Sequence, residues 1–373
     1  MLFPRSIAAG ISSRAARISA HAFAVFILAL PLAGQTGAPL LPLPPATVST
    51  IPANGDVNPY GTAYVPFGVS DSKVPHSVLR QGDLLVANFN NKENLAGLGT
   101  TIVRINGNGQ QSLFFQSSSA YAGLTGALRV LSDGTVIVGN LPTSDGTSAT
   151  AQVGALQIIS PAGFLLSAVT NTAIAGPWGL AVNEQGSTVY VFVANVLNGT
   201  ISRLTFKRPH PNVLTLENAT VITTGLTHRG DPAALELGPS GLLYNPANDT
   251  LYFASSTDNA IYYLEKVSKV GADEATPKLF VQDLTHLHGP IDLTFAPNGH
   301  LLVANSDGSN VNAEEPSEIV EYNGDGAFVG QFSVDANPGG AFGIAREQFD
   351  PITIIAAVDD NASTVTQYTK FDQ

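Results

Sequence analysis

The chain of 373 residues has no cysteine, one methionine and one tryptophan, and only 12% of its residues are charged. Without cysteine, no disulfide stabilises the fold and no thiol is there to carry a lipid. Basic residues are scarce too: 17 lysines and arginines stand against 29 acids, for a formal charge of −12. That balance argues against nucleic acid and anionic membrane surfaces as partners. Helical periodicity is almost absent after residue 30, and no nucleophile-elbow, phosphate-loop or His-Glu-x-x-His pattern occurs.

The apolar stretch from Ala22 to Leu32 is too short to span a bilayer comfortably. Arg5, Arg14 and Arg17 precede it, and small residues follow near Ala33 to Ala38. This is the order of a secretory signal. Residues 1–38 are therefore expected to direct export, to the periplasm or the extracellular space, with no membrane insertion of the mature chain. Their removal takes three arginines and no acid, leaving 14 basic and 29 acidic residues and a charge of −15. The proline-rich segment 39–45 reads as an extended spacer.

What the chain has in plenty is glycine and proline, 60 together, set between short runs of Val, Thr, Ile and aromatics. That is the make-up of many short strands joined by tight turns. One phrase recurs, an apolar run closing on a small residue and then Asn or Ser. It ends at Asn88, Asn140, Asn195, Ser255 and Asn305, with a degenerate copy ending at Val358. The spacings are 52, 55, 60, 50 and 53 residues. A period of this size marks stacked units, because one four-stranded sheet cannot bury its own faces.

Each repeat divides into four strands. Strand a follows a Pro/Gly entry, as in Pro59-Tyr-Gly, Leu124-Thr-Gly, Pro177-Trp-Gly, Pro239-Ser-Gly, Pro290-Ile-Asp and Ala341-Phe-Gly. Turns such as Asp133-Gly134, Gln185-Gly186 and Asn298-Gly299 lead to strand b, the recurring phrase. Strands c and d follow. The sixth repeat has only three strands before Gln373, whereas residues 46–51 are spare at the other end. The expected fold is all-β, a six-bladed β-propeller over residues 46–373 with four-stranded antiparallel blades. The N-terminal strand closes the ring and hides the open edges.

The phrase resembles that of NHL-type propellers, whose strand b commonly ends in a Val-Ala-Asp-like run. In plan the chain is also similar to SMP-30/gluconolactonase-like and strictosidine-synthase-like propellers. This resemblance implies architecture more than activity, since the fold hosts lactonases, lyases and binding modules. SMP-30-like lactonases hold a divalent metal with carboxylates and Asn at the start of strand a. The matching positions here are Tyr60, Thr125, Trp178, Ser240, Ile291 and Phe342. None supplies a carboxylate, which counts against a lactonase.

Aromatic residues remain at the mouth. Tyr60, Trp178 and Phe342 are expected either to pack the channel rim or to offer a stacking platform for a sugar or flat apolar ligand. The four Asn that end the phrase are explained by turn-making. The loops Leu226-Thr-His-Arg-Gly-Asp231 and Leu284-Thr-His-Leu-His-Gly289 both carry Leu-Thr-His, and Asp292 stands where other repeats have glycine. His228, His288 and Asp292, with Arg229 as an anion contact and His286 or Asp231 nearby, would on one reading hold one divalent metal ion or serve as a catalytic base and its partner. On the other they are repeated loops with hydrogen-bonded histidines. The oxygen-rich loop Asn305 to Glu315 lacks EF-hand spacing and reads as a solvated loop. The function expected first is a binding or scaffold module taking a small molecule, glycan or protein segment on its top face. The alternative is a metal-dependent lyase or hydrolase.

Overall fold

The recurring phrase forms the second strand of every blade, and its apolar residues point into the gaps between neighbouring sheets. The computed structural model describes residues 46–69, 77–312, 314 and 318–371. The expected signal and spacer, His76 and Glu315 lie outside the described residues. Six four-stranded antiparallel sheets follow one another in chain order. Their innermost strands, strands a, are Val57–Tyr64, Leu124–Val130, Pro177–Gln185, Pro239–Asn245, Pro290–Phe295 and Ala341–Phe349.

The ring closes as expected. Ala46–Ser49 pairs antiparallel with the last strand, Thr364–Phe371, as the outer strand of blade 6. Thr50 then ties the clasp down, its N–H and hydroxyl both donating to the Ser363 carbonyl. From there the chain runs directly into blade 1, so one segment joins the last blade to the first.

Hydrophobic burial is organised by interface. One cluster lies between blades 1 and 2, with Leu85, Ile102, Leu128 and Val138. Others follow around the ring, such as Phe192 and Ile201 against Leu251 and Phe253. A further cluster occupies the axis and the seam between blades 6 and 1. Every strand a is bulged where it begins, shown by a shift in its register with strand b. The strands approach so closely there that a Cβ on Gly179 would lie 2.0 Å from the Ser240 carbonyl oxygen. Only glycine fits such a crossing.

The structure amends two details. In blade 6, Asp359 pairs with Ala341 as Asn305 pairs with Pro290. The sixth phrase therefore ends at Asp359, one residue later than its apolar pattern suggests. The phrase-ending Asn residues also do more than make turns. Asn140 accepts from Ala155 N–H and donates to the Ala122 carbonyl. Asn195 bonds Ala175 and Ala173, and Asn305 bonds His288 and His286. All four Asn are fully buried, and each staples its strand to the loop that enters the same blade.

Candidate functional site

At the axis, the bulged strand entries aim their second residues inward. Tyr60, Trp178 and Phe342 meet there with Phe89. Ring centroids are 4.5 Å apart for Tyr60 and Phe342, 5.5 Å for Tyr60 and Trp178, and 5.3 Å for Phe89 and Trp178. These tilted and edge-on contacts are the favoured aromatic geometry. Trp178 is only 2% exposed. The throat beside it, bounded also by Gly126, Gly241, Asp292 and Gly343, encloses about 10 Å³. Of the expected platform, Tyr60 and Phe342 reach an open space on the top face and Trp178 does not. The hydroxyls of Thr125 and Ser240 donate to the carbonyls of Pro177 and Pro290, lacing adjacent blades together.

Asp292 is buried in the throat. It accepts from the N–H of Leu293 and, across the blade boundary, from that of Ile344. Burial raises its carboxyl to about 6, against the pull of the Arg129 charge. Arg129 donates across the channel to the Leu242 carbonyl.

The proposed metal set does not assemble. His228 lies on an exposed loop. His288 is 2% exposed, and its Nδ1 donates to the Asn310 carbonyl, which places the proton on that nitrogen. Asp292 faces the throat. His286 bonds Asp283 at 2.7 Å and stacks on Phe328. Arg229 pairs with Asp231 at 2.7 Å, and the other Asp231 oxygen caps the turn at Ala233 and Ala234. Among the described residues no group of three or more His, Asp or Glu is gathered for a metal ion. These donors are committed to hydrogen bonds or separated by the fold, and they do not fit a divalent ion.

A different constellation faces the top of the axis. A cavity of about 490 Å³ opens there, floored by Tyr60, Phe89, Ile291 and Phe342. Its walls come from the loops of blades 1, 2, 4, 5 and 6 and from a hairpin between blades 3 and 4, Arg229–Asp231 paired with Leu235–Leu237. Leu235 adopts a φ of 64° at the hairpin turn and packs into the axial cluster. Among the described residues, three carboxylates line the cavity: Glu236, Asp307 and Asp360. Burial, with help from neighbouring Asp359, lifts Asp360 to about 7. Burial also raises Asp307, opposed by the Gly339 N–H and the nearby His288. Glu236 is raised by burial and partly restored by the Ser148 hydroxyl, which donates to it.

These acids escaped the sequence reading because no motif marks them. A signal did exist. The one or two residues after the phrases of blades 1, 4, 5 and 6, namely Phe89, Asn90, Ser256, Ser306, Asp307 and Asp360, line the cavity, whereas those after the phrases of blades 2 and 3 do not.

No family model matches the chain, and no curated protein matches its sequence. Solved structures do match in fold. A gluconolactonase from Xanthomonas campestris is 12% identical, with a TM-score of 0.52 over 86% of this chain and 89% of its own. Virginiamycin B lyase from Staphylococcus aureus is 15% identical, with a TM-score of 0.50 over 88% and 99%. An α-L-arabinanase from Penicillium chrysogenum, complexed with arabinobiose, is 11% identical, with a TM-score of 0.53 over 88% and 99%. At such identities the likeness is one of fold alone, a six-bladed propeller similar to the gluconolactonase-like group. No helix among the described residues is long and apolar enough to cross a membrane.

Proposed function

We propose that the chain is an exported binding propeller that receives a small molecule in the cavity at the top of its axis. The observation that carries this reading is the 490 Å³ cavity, which has an aromatic floor and a few convergent polar groups. That is the usual make-up of a small-molecule site. The packed throat below ends the cavity, so a ligand would be held at the mouth and not passed through. The basic, apolar and small-residue order of residues 1–38 supports export.

The experiment is a thermal-shift screen of sugars, lactones, alcohols and amines against the wild type and an Ala234→Trp variant, which fills the mouth from the hairpin. A true ligand at a hundred times its Kd stabilises the wild type by about 2.7 kcal/mol, and the variant loses that gain. If no compound shifts the wild type more than the variant, the binding reading fails.

A further inference from the structure

The chemistry of the cavity wall points beyond a generic ligand, and the inference that follows rests on the binding reading just given. Of the described residues lining the cavity, three are acidic and none is basic. Arg229, the nearest arginine on the hairpin, is turned to Asp231. Burial costs each of these carboxylates hydration, and that cost falls when a positive charge enters.

Hydrogen-bonding capacity tells the same story independently. Asp307 is 8% exposed and Asn90 5%, and both line the cavity. Asp307 Oδ1, Asn90 Oδ1 and Asn58 Oδ1 have no hydrogen-bond partner among the described residues. Asp307 uses its other oxygen to accept from the Gly339 N–H. The Asn90 amide donates through Nδ2 to two oxygens of Asn94. The unmet groups at this wall are therefore acceptors, and they call for a ligand that donates. Carboxylates and carbonyl oxygens over an aromatic floor suit a primary ammonium with an apolar body.

A bare metal ion fits less well. The carboxylates are not gathered for a metal, and the space is far larger than one ion needs. A neutral polyol would satisfy the acceptors but bring no charge to offset the hydration the carboxylates lose on burial.

We infer that this cavity takes a small organic amine, its ammonium held by Asp307 and Asp360 and its apolar part resting on Tyr60, Phe89 and Phe342. The ammonium is bound as such, and no bond is made or broken.

The test is a calorimetric titration of the mature chain with benzylamine, benzyl alcohol, arabinose and calcium chloride. The alcohol keeps the ring and a donor and lacks the charge. The same titrations are run on Asp307→Asn, which keeps an acceptor for Gly339, and on Asp360→Asn, both checked for an unchanged near-ultraviolet circular dichroism spectrum. Benzylamine should bind at least 10-fold more tightly than benzyl alcohol. Each variant should weaken the amine about 10- to 100-fold, the span of a lost hydrogen bond to a charged group, and leave the alcohol unchanged. Equal binding of amine and alcohol, or tighter binding of the alcohol, arabinose or calcium, overturns the amine and leaves a binding cavity standing. Silence from all four probes overturns the amine as well, and the screen with Ala234→Trp then decides whether the cavity binds anything.

Discussion

The throat and the mouth of this propeller adjoin along one axis and are built on opposite terms. In the throat, four rings make four contacts at centroid distances of 4.5–5.5 Å, and the remaining space is about 10 Å³. The mouth holds about 490 Å³, three carboxylates and several unmet acceptors. The difference follows from which part of the blade supplies each. Apart from Phe89, at the end of a strand b, the throat residues sit on the bulged entries of strand a, where six strands converge and any misfit is felt by all of them. The carboxylates of the mouth sit on b-to-c loops and on one hairpin, whose composition the ring does not constrain. Stability is thus concentrated at one level of the axis, and chemistry at the next.

The harshest way to break that contrast is to open the throat. Trp178→Ala removes the central ring contacts at a site with no room to collapse, and should cost about 3–5 kcal/mol in urea unfolding. A loss below about 1 kcal/mol would mean that the rings merely fill space. Asp292→Ala comes next. It deprives the Leu293 and Ile344 N–H groups of their acceptor and leaves Arg129 without its nearest opposing charge. Stranding part of a buried polar network costs about 2–4 kcal/mol. An unchanged unfolding midpoint would show that Asp292 is no part of the link between blades 5 and 6.

How much of this contrast the sequence carried depends on periodicity. The blades were legible because the strand-b phrase repeats, and a repeating apolar run means repeated burial. The closing strand was legible by counting, since one blade lacked a strand and residues 46–51 were spare. The likeness of the two Leu-Thr-His loops is local and does not extend to their surroundings. His228 stays in solvent, while His288 is drawn under a loop by Asn305 and Asn310. Tyr60, Trp178 and Phe342 meet as the strand entries converge, but which of them reaches the cavity depends on how the rings interlock. Asp307 and Asp360 were invisible because loops carry no period. Only the six-fold alignment of phrase ends, with Asp359 in place of Val358, brings them into register with Phe89, Asn90 and Ser256.

The mouth should yield the smallest effect, and one of opposite sign. Asp360 has an ordinary carboxyl pKa of 3.8 when unfolded and one of about 7 when folded, raised by burial and by Asp359. The folded state therefore holds this proton more tightly. The stability it contributes is complete below pH 4 and is lost as pH rises toward 7. The full difference corresponds to about 4 kcal/mol at 1.36 kcal/mol per unit, but the cavity admits water, so about 1–2 kcal/mol is the expected loss. Asp360→Asn removes the titration. The variant should match the wild type near pH 4 and exceed it by about 1–2 kcal/mol at pH 8. Asp292, lifted to about 6, slopes the same way and is common to both proteins, so it cancels in the difference between their curves. The groups facing Asp360 are Asp359 and the Tyr60 phenol, whose own pKa is raised by burial and by Asp360. A tyrosine raised in this way stays neutral across the range. Urea midpoints for both proteins from pH 4 to 8 provide the check. A variant less stable than the wild type at pH 8 would place Asp360 among the supports of the fold, and the division between a packed throat and an acidic, unsatisfied mouth would not hold.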